Sequence, residues 1–253
     1  MSSLWFVVPA HGRTELARIC LEQLRRTCDE LTDVGLPATA VVIADDENLR
    51  TARRLGFGTI ERDNRWLSRK FNDGIQLACD PRYNARPAQF VVPMGSDDWV
   101  DSRILLQLPE RNRMLVGFKR MAFVREDGLE LSRSYVDYDG GCGIRIYPRR
   151  LVQELGFRPA DEDRERGCDT SILVNVKRAV RQIEIEHRDV HDLQIVDFKS
   201  PGVQLNGYAD VRRWSRERAR DPWEELADVY PLESIAAMRA HYASRDRELE
   251  LAV

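Results

Sequence analysis

The chain has 253 residues, 43% of them apolar, enough for one large domain with a substantial core. Its 39 Lys and Arg stand against 42 Asp and Glu, a formal charge of -3, which excludes a general electrostatic attraction to nucleic acid. Five widely spaced cysteines contain no C-x-x-C pair for zinc or thiol exchange, and no apolar run approaches the roughly 18 residues of a membrane span, so the expectation is a cytoplasmic protein with no membrane partner.

Leu4 to Val8 reads as a buried strand, too short for a signal-peptide core, and is followed by the loop Pro9 to Arg13. Thr14 can cap the next helix, where Leu16, Ile19, Cys20, Leu24 and Leu31 recur at helical spacing. A second apolar strand, Ala40 to Ala44, ends in Asp45-Asp46 and leads to a short helix near Leu49 to Leu55, a strand at Thr59-Ile60 and a loop through Asp63-Asn64-Arg65. Ser68 opens a further helix with Phe71, Ile75 and Ala78 on one face. The order strand, helix, strand, helix, strand, helix, strand, with central strands apolar on both faces, predicts a mainly parallel sheet covered by helices. Ligands then bind beyond the C-terminal strand ends, where Pro9 to Arg13, Asp45-Asp46 and Asp97-Asp98 converge.

The fourth strand begins the stretch Phe90 to Val100, in which a short apolar run ends abruptly in Asp97 and Asp98. A buried strand that delivers two adjacent carboxylates to a cleft is the layout of a metal-assisted phosphate site. Ser-Asp-Asp is equally a way to cap the next helix, and this motif alone does not decide between the two.

In the second half, strands are expected at Met114 to Phe118, Ala122 to Glu126 and Leu129 to Ser134, with Asp127-Gly128 as the last turn. The loop Gly140-Gly141-Cys142-Gly143 precedes a strand at Ile144 to Tyr147, and Pro148 suits the first turn of a helix through Leu155. Beyond the acidic loop Asp161 to Glu165, Ile172, Leu173, Val176 and Val180 mark an amphipathic helix, and strands follow at Gln182 to Glu186 and Leu193 to Val196. From Tyr208 the chain is charged and reads as helical. There Arg212, Arg213, Arg216, Arg218 and Arg220 lie near Trp214 and Trp223, a pattern that fits either a solvated helix pinned by its tryptophans or a polyanion or sugar surface.

Taken in order, these motifs resemble the GT-A-fold nucleotide-sugar glycosyltransferases, especially the inverting family-2 group, over roughly residues 4 to 200. Pro9-Ala10-His11-Gly12-Arg13 is similar to the turn that packs against the nucleoside in that family, and Asp45 or Asp46 to the acid that recognises the base. Asn64 to Gly74 resembles an Asn-x-Gly-Leu-Ser-x-x-x-Asn-x-Gly element, which implies donor contacts from Asn64, Arg69, Lys70 and Asn72; Arg69 and Lys70 also fit an ordinary exposed helix face. Gly95-Ser96-Asp97-Asp98-Trp99 looks like the family's Asp-x-Asp element, with Gly95 in place of the first carboxylate. The resemblance implies Ser96 and Asp97 as donor contacts and Asp97, Asp98 and a late histidine, His191 or else His187, as ligands of Mn²⁺ or Mg²⁺.

Gly156-Phe157 and Gly167-Cys168-Asp169 are similar to the stretch that leads to a Glu-Asp pair, so the resemblance implies Asp169 as catalytic base, with Cys168 replacing the first acid. Asp169 could equally cap the helix after it, and Glu162, Asp163 and Glu165 are substitute bases. Gly140 to Gly143 resembles the glycine-rich turn beside donor sugar and acceptor.

The implied fold is α/β and GT-A-like (Rossmann-like): a mainly parallel central sheet flanked by helices, a small antiparallel second half and a C-terminal helical appendage. Residues 1–100 would form a nucleotide-binding half and 101–200 an acceptor half, with 201–253 appended. The implied activity is metal-dependent inverting transfer from a nucleotide diphosphate sugar, a UDP-sugar, to an acceptor hydroxyl. The acceptor is a saccharide, a protein, a small molecule or a modified DNA base. A sugar-1-phosphate nucleotidylyltransferase uses a related sheet but normally carries a glycine-rich, Arg-containing loop after strand one with a following Lys, of which only Gly12-Arg13 is present here, and a non-catalytic binding protein of the same fold is the third reading.

Overall fold

A computed structural model describes residues 3–45, 47–109, 113–124, 130–134, 141–180, 183–190, 192–199, 216–217 and 221–251. Four parallel strands, β1 (Leu4–Pro9), β2 (Ala38–Ala44), β3 (Gly58–Glu61) and β4 (Phe90–Pro93), form one side of the sheet, with β1 between β2 and β4; apolar residues on both faces bury β1, β2 and β4, while β3 is the half-exposed edge. Beyond β4 the sheet continues through β9 (Arg145–Pro148) and β6 (Met114–Phe118) to β10 (Glu184–Arg188), seven strands in the order β10-β6-β9-β4-β1-β2-β3. β9 runs antiparallel to both of its neighbours, and β10 runs parallel to β6.

Alternate residues of β1 and β2 feed two cores. Phe6, Val8, Val42 and Ala44 pack with α1 (Thr14–Asp33) and α2 (Glu47–Arg54). Val7, Val41 and Ile43 pack on the other face with α3 (Leu67–Cys79), α5 (Arg149–Gln153) and α6 (Cys168–Ala179). Gly74 lets α3 lie close to the sheet, because a Cβ there would sit 2.7 Å from Ile43 Cδ1 and nearer still to Val7.

A second sheet of five strands, in the order β12-β8-β7-β11-β5, combines β5 (Asp98–Val100), β7 (Arg120–Val124), β8 (Glu130–Ser134), β11 (Ile195–Phe198) and β12 (Arg216–Glu217). Its pairings are antiparallel except β7 with β11. Two C-terminal helices, α7 (Pro222–Leu226) and α8 (Leu232–Leu251), close a third core: Trp223, Tyr230, Met238 and Tyr242 meet Leu16, Ile19, Trp99, Val196 and Phe198. Tyr242 Oη donates to Lys199 O at 3.0 Å, so α8 is fastened to the chain just after β11.

Several expected details differ. Thr14 is the first helical residue of α1; the N-cap is Arg13, left-handed at φ 42, with no side-chain cap bond. The helix expected to open at Ser68 starts one residue earlier, at Leu67, with Trp66 as N-cap, and the Ser68 hydroxyl donates to Glu162 O at 2.9 Å. The strand expected at 182–186 starts at Glu184, opposite Met114 at the start of β6. The strand expected at 193–196 runs Ile195–Phe198, because a 3₁₀ turn at Asp192–Gln194 takes its first residues. Arg216 lies in a strand paired with Ser132 of β8, not in a helix. The turn Asp127-Gly128, Gly140, and Arg212, Arg213, Trp214, Arg218 and Arg220 lie outside the described residues. All five cysteines are buried and unpaired, and among the described residues no helix is long and apolar enough to cross a membrane.

Candidate active site

The acidic motif sits where the two sheets meet. β4 ends at Pro93, and the chain turns through Gly95 to start β5 at Asp98 in the other sheet. The helix-cap alternative falls away, since α4 (Ser102–Leu105) is capped by Asp101, whose carboxylate accepts from Arg103 N at 2.9 Å. Asp98 instead accepts from Gly95 N at 2.7 Å. A Cβ on residue 95 would lie 2.7 Å from Asp97 Oδ1 and 2.9 Å from Asp98 Oδ2, so this arrangement has no room for the carboxylate usual there.

A third acid arrives from another strand. Asp197 of β11 stands opposite Asp98 in the antiparallel register, and carboxylate oxygens of Asp97, Asp98 and Asp197 all lie within 4.8 Å of one another. Asp197 was not among the candidates read from the sequence. Its signal was a lone carboxylate between Val196 and Phe198, at the end of an apolar run.

Two cations balance the cluster in part: Arg13 Nη1 is 2.9 Å from Asp97 Oδ2, and Lys199 Nζ is 2.5 Å from Asp197 Oδ2. Burial alone would raise the Asp97 pKa, but Arg13 and then Lys199 outweigh it and hold this carboxyl below the usual range. Asp98 is pushed well above that range by burial and by Asp197 and Asp97. Burial also raises Asp197 to about 6, with Lys199 opposing and Asp97 adding. Asp197 Oδ1 is buried with no hydrogen-bond partner. Three converging hard oxygen donors, one orphaned and one acid pushed toward its neutral form, fit a Mn²⁺ or Mg²⁺ ion. His191 lies outside the described residues.

The loop after β1 is held from several sides. His11 Nδ1 is 3.0 Å from Asp45 Oδ1 at the end of β2, and Asn48 of α2 donates to Gly12 O at 3.2 Å. The Lys70 ammonium, almost wholly buried, donates to Ala10 O at 3.1 Å and to Asn64 Oδ1 at 3.4 Å. The loop thus links Asp45, through His11, to Asp97, through Arg13. Pro9 and Ser96 are buried, and Asp46 lies outside the described residues.

α3 is also tied to the acidic loop. Buried Asn72 accepts from Ala160 N at 2.8 Å and donates to Ala160 O at 2.9 Å, while Arg69 pairs with Asp163 at 2.6 Å. Glu162 is engaged by Arg158 at 2.9 Å, and Glu165 accepts from Leu67 N at 3.3 Å, so the substitute bases all have partners.

Asp169 lies in the first turn of α6, whose N-cap is Gly167 at φ 63, so its carboxylate is not used as the cap and is 40% exposed. A Cβ on Gly143 would lie 3.8 Å from Asp169 Oδ2, which places the glycine turn against this acid. Cys142 in the same turn has its thiol pushed up to about 12 by burial first, with Asp98 and Asp169 both adding. Asp98 of the acidic cluster and Asp169 thus both act electrostatically on the thiol of this turn. Cys168, also raised to about 12 by burial with Asp169 next, supplies no acid beside it.

No protein-family profile matches the chain, and no curated protein matches it in sequence. Among solved structures it is similar to glucosyl-3-phosphoglycerate synthase from Mycobacterium tuberculosis in complex with uridine diphosphate, with TM-score 0.52 and 14% identity over 83% of this chain and 76% of that one. A crystal structure described as a mycobacterial protein gives TM-score 0.51 and 11% identity over 83% of this chain and 70% of that one. The catalytic domain of Drosophila β1,4-galactosyltransferase 7 gives TM-score 0.46 and 13% identity over 74% of this chain, which spans 65% of that domain's chain. At such identities the likeness is one of architecture: the chain has the GT-A-like glycosyltransferase fold.

Proposed function

We propose that the chain is a metal-dependent inverting glycosyltransferase that moves a sugar from a nucleotide diphosphate sugar, UDP-linked, to an acceptor hydroxyl. One observation carries this reading: carboxylate oxygens of Asp97, Asp98 and Asp197 lie within 4.8 Å of one another where the two sheets meet, and Asp197 Oδ1 is buried with no hydrogen-bond partner. The fold supports it, since a synthase structure of this architecture, with TM-score 0.50 and 11% identity, was solved with Mn²⁺, UDP-glucose and glycerol 3-phosphate.

In this reading Asp97, Asp98 and Asp197 hold Mn²⁺ or Mg²⁺, which when bound supplies Lewis-acid neutralisation of the departing diphosphate. Asp45, oriented by His11, faces the nucleobase, and the braced loop Pro9 to Arg13 lies along the nucleoside. Asp169 takes the proton from the acceptor hydroxyl as its oxygen bonds to the anomeric carbon and the bond to diphosphate breaks. Such general-base help contributes on the order of 10²- to 10⁴-fold. Residues 1–100 serve the donor and 101–200 the acceptor, with 201–253 appended.

Thermal-shift measurements with UDP, UDP-glucose and UDP-galactose, each with and without Mn²⁺, test the donor class. Stabilisation that needs nucleotide and metal together is expected. Asp169→Asn should keep that stabilisation and lose about a hundredfold or more in turnover. A chain that no nucleotide stabilises in Mn²⁺ overturns the reading.

A further inference from the structure

Arg145 is fully buried, at 0% exposure, in β9 near the middle of the seven-stranded sheet, opposite Gly117 of β6, which has no side chain to compete for the space. A guanidinium that has lost its water needs its donors spent on protein oxygens. Those donors reach the glycine turn and α6: Nη2 donates to Gly141 O at 3.3 Å, and Nη1 donates to Asp169 O at 3.2 Å and lies 3.6 Å from Asp169 Oδ2.

The turn that Arg145 grips is rigid on its other side as well. Gly141 has φ 73, and a Cβ there would lie 2.8 Å from Phe118 N and nearer still to Phe118 O. Cys142 N donates to that same carbonyl at 2.7 Å. One buried side chain thus joins three parts of the fold: the sheet, the glycine turn and the first turn of α6. The Asp169 carboxylate, itself 40% exposed, lies beside that joint, 3.6 Å from Arg145 Nη1.

We infer that Arg145 is a positioning residue, holding the Asp169 carboxylate in fixed relation to the glycine turn across which an acceptor approaches. This rests on the reading of Asp169 as the general base. Lysine retains the charge but not the planar fork that spans two carbonyl oxygens and a carboxylate. Misplacement of a reacting group by an ångström can cost about a hundredfold in rate without touching the substrate's binding contacts.

The test measures UDP release from UDP-glucose and UDP-galactose in Mn²⁺, together with UDP affinity, for the wild-type chain, Arg145→Met, Arg145→Lys and Asp169→Asn. Arg145→Met should lose about a hundredfold in kcat, with KM for the donor and Kd for UDP changing by less than about threefold, and Arg145→Lys should recover part of the loss. In an Asp169→Asn background Arg145→Lys should cost nothing more, because both changes remove the same function. Wild-type kcat in Arg145→Met, or parallel loss of turnover and UDP affinity in a folded variant, overturns the inference. If Arg145→Met does not fold, Arg145→Lys and the double variant decide: additive losses overturn the inference, non-additive losses support it. A wild-type chain that binds UDP with Mn²⁺ yet releases none from either donor overturns the role of Asp169, and this inference with it.

Discussion

At the scale of single residues, Gly95 shows how tightly the two carboxylates that follow it are packed. Its φ is not in the left-handed region, so crowding and not backbone conformation demands glycine: a methyl group would meet both Asp97 and Asp98 carboxylates. Gly95→Ala should therefore displace one or both acids, at about 1–3 kcal/mol in stability, the usual cost of overpacking. It should also weaken Mn²⁺ binding at least several-fold, checked by urea unfolding and by metal titration. An alanine variant with unchanged Mn²⁺ affinity would show that the acids are not held where the structure puts them. Asp97 and Asp98 were legible in the sequence because two charges directly after an apolar strand have few places to go. Asp197 was not, since its meaning comes from the register of β11 against β5, a pairing between distant parts of the chain. Lys70 and Asn72 were legible as residues of one motif, but the side chains the structure shows are buried braces, one on the first loop and one on Ala160.

Elements explain why that motif is dense in polar residues. α3 lies under the first loop and against the acidic loop, and Ser68, Arg69 and Asn72 stitch it to residues 160 to 164, just ahead of α6. Glu162 belongs to the same seam, held below its ordinary 4.5 first by the hydrogen bonds from Arg158, against the opposing pull of burial. A carboxylate with a depressed folded pKa stabilises the native state above its unfolded pKa, and that contribution fades as pH falls through the folded value. Glu162→Gln should thus lower the melting temperature at pH 7, and the difference from wild type should shrink on acidification below about pH 4.5. Paired melting curves from pH 7 to pH 3 check this; a gap that widens toward acid would reverse the assignment. The alternating strands and helices of the first half were readable because strands buried on both faces leave unbroken apolar runs. In the second sheet β7 was read two residues late, β8 one early and β11 two early, while Arg216–Glu217 was read as helix; β11 and β12 take their registers from strands far away in the sequence.

For the whole molecule, the acids are a seam between layers. Asp97 lies on the connection leaving β4 of the first sheet, Asp98 and Asp197 belong to the second, and α8 closes over that second sheet through Tyr242. A cation held by all three would be a ligand of the native state only, because unfolding scatters its ligands, and such a ligand raises stability by mass action. At a hundred times its dissociation constant the gain is about 2.7 kcal/mol, which for a chain of this size is about 5–10 °C in melting temperature. Asp197→Asn tests whether the seam depends on the third acid. The amide leaves Lys199, almost wholly buried, without its partner carboxylate, so the metal-free variant should melt below wild type. It should also lose most of the Mn²⁺-dependent rise, because a neutral amide is a much weaker ligand for a hard cation. Scanning calorimetry of both proteins over a Mn²⁺ series separates the two effects. If the variant's melting temperature climbs with Mn²⁺ as steeply as that of wild type, Asp97 and Asp98 hold the ion without Asp197, and β11 is no part of the metal site.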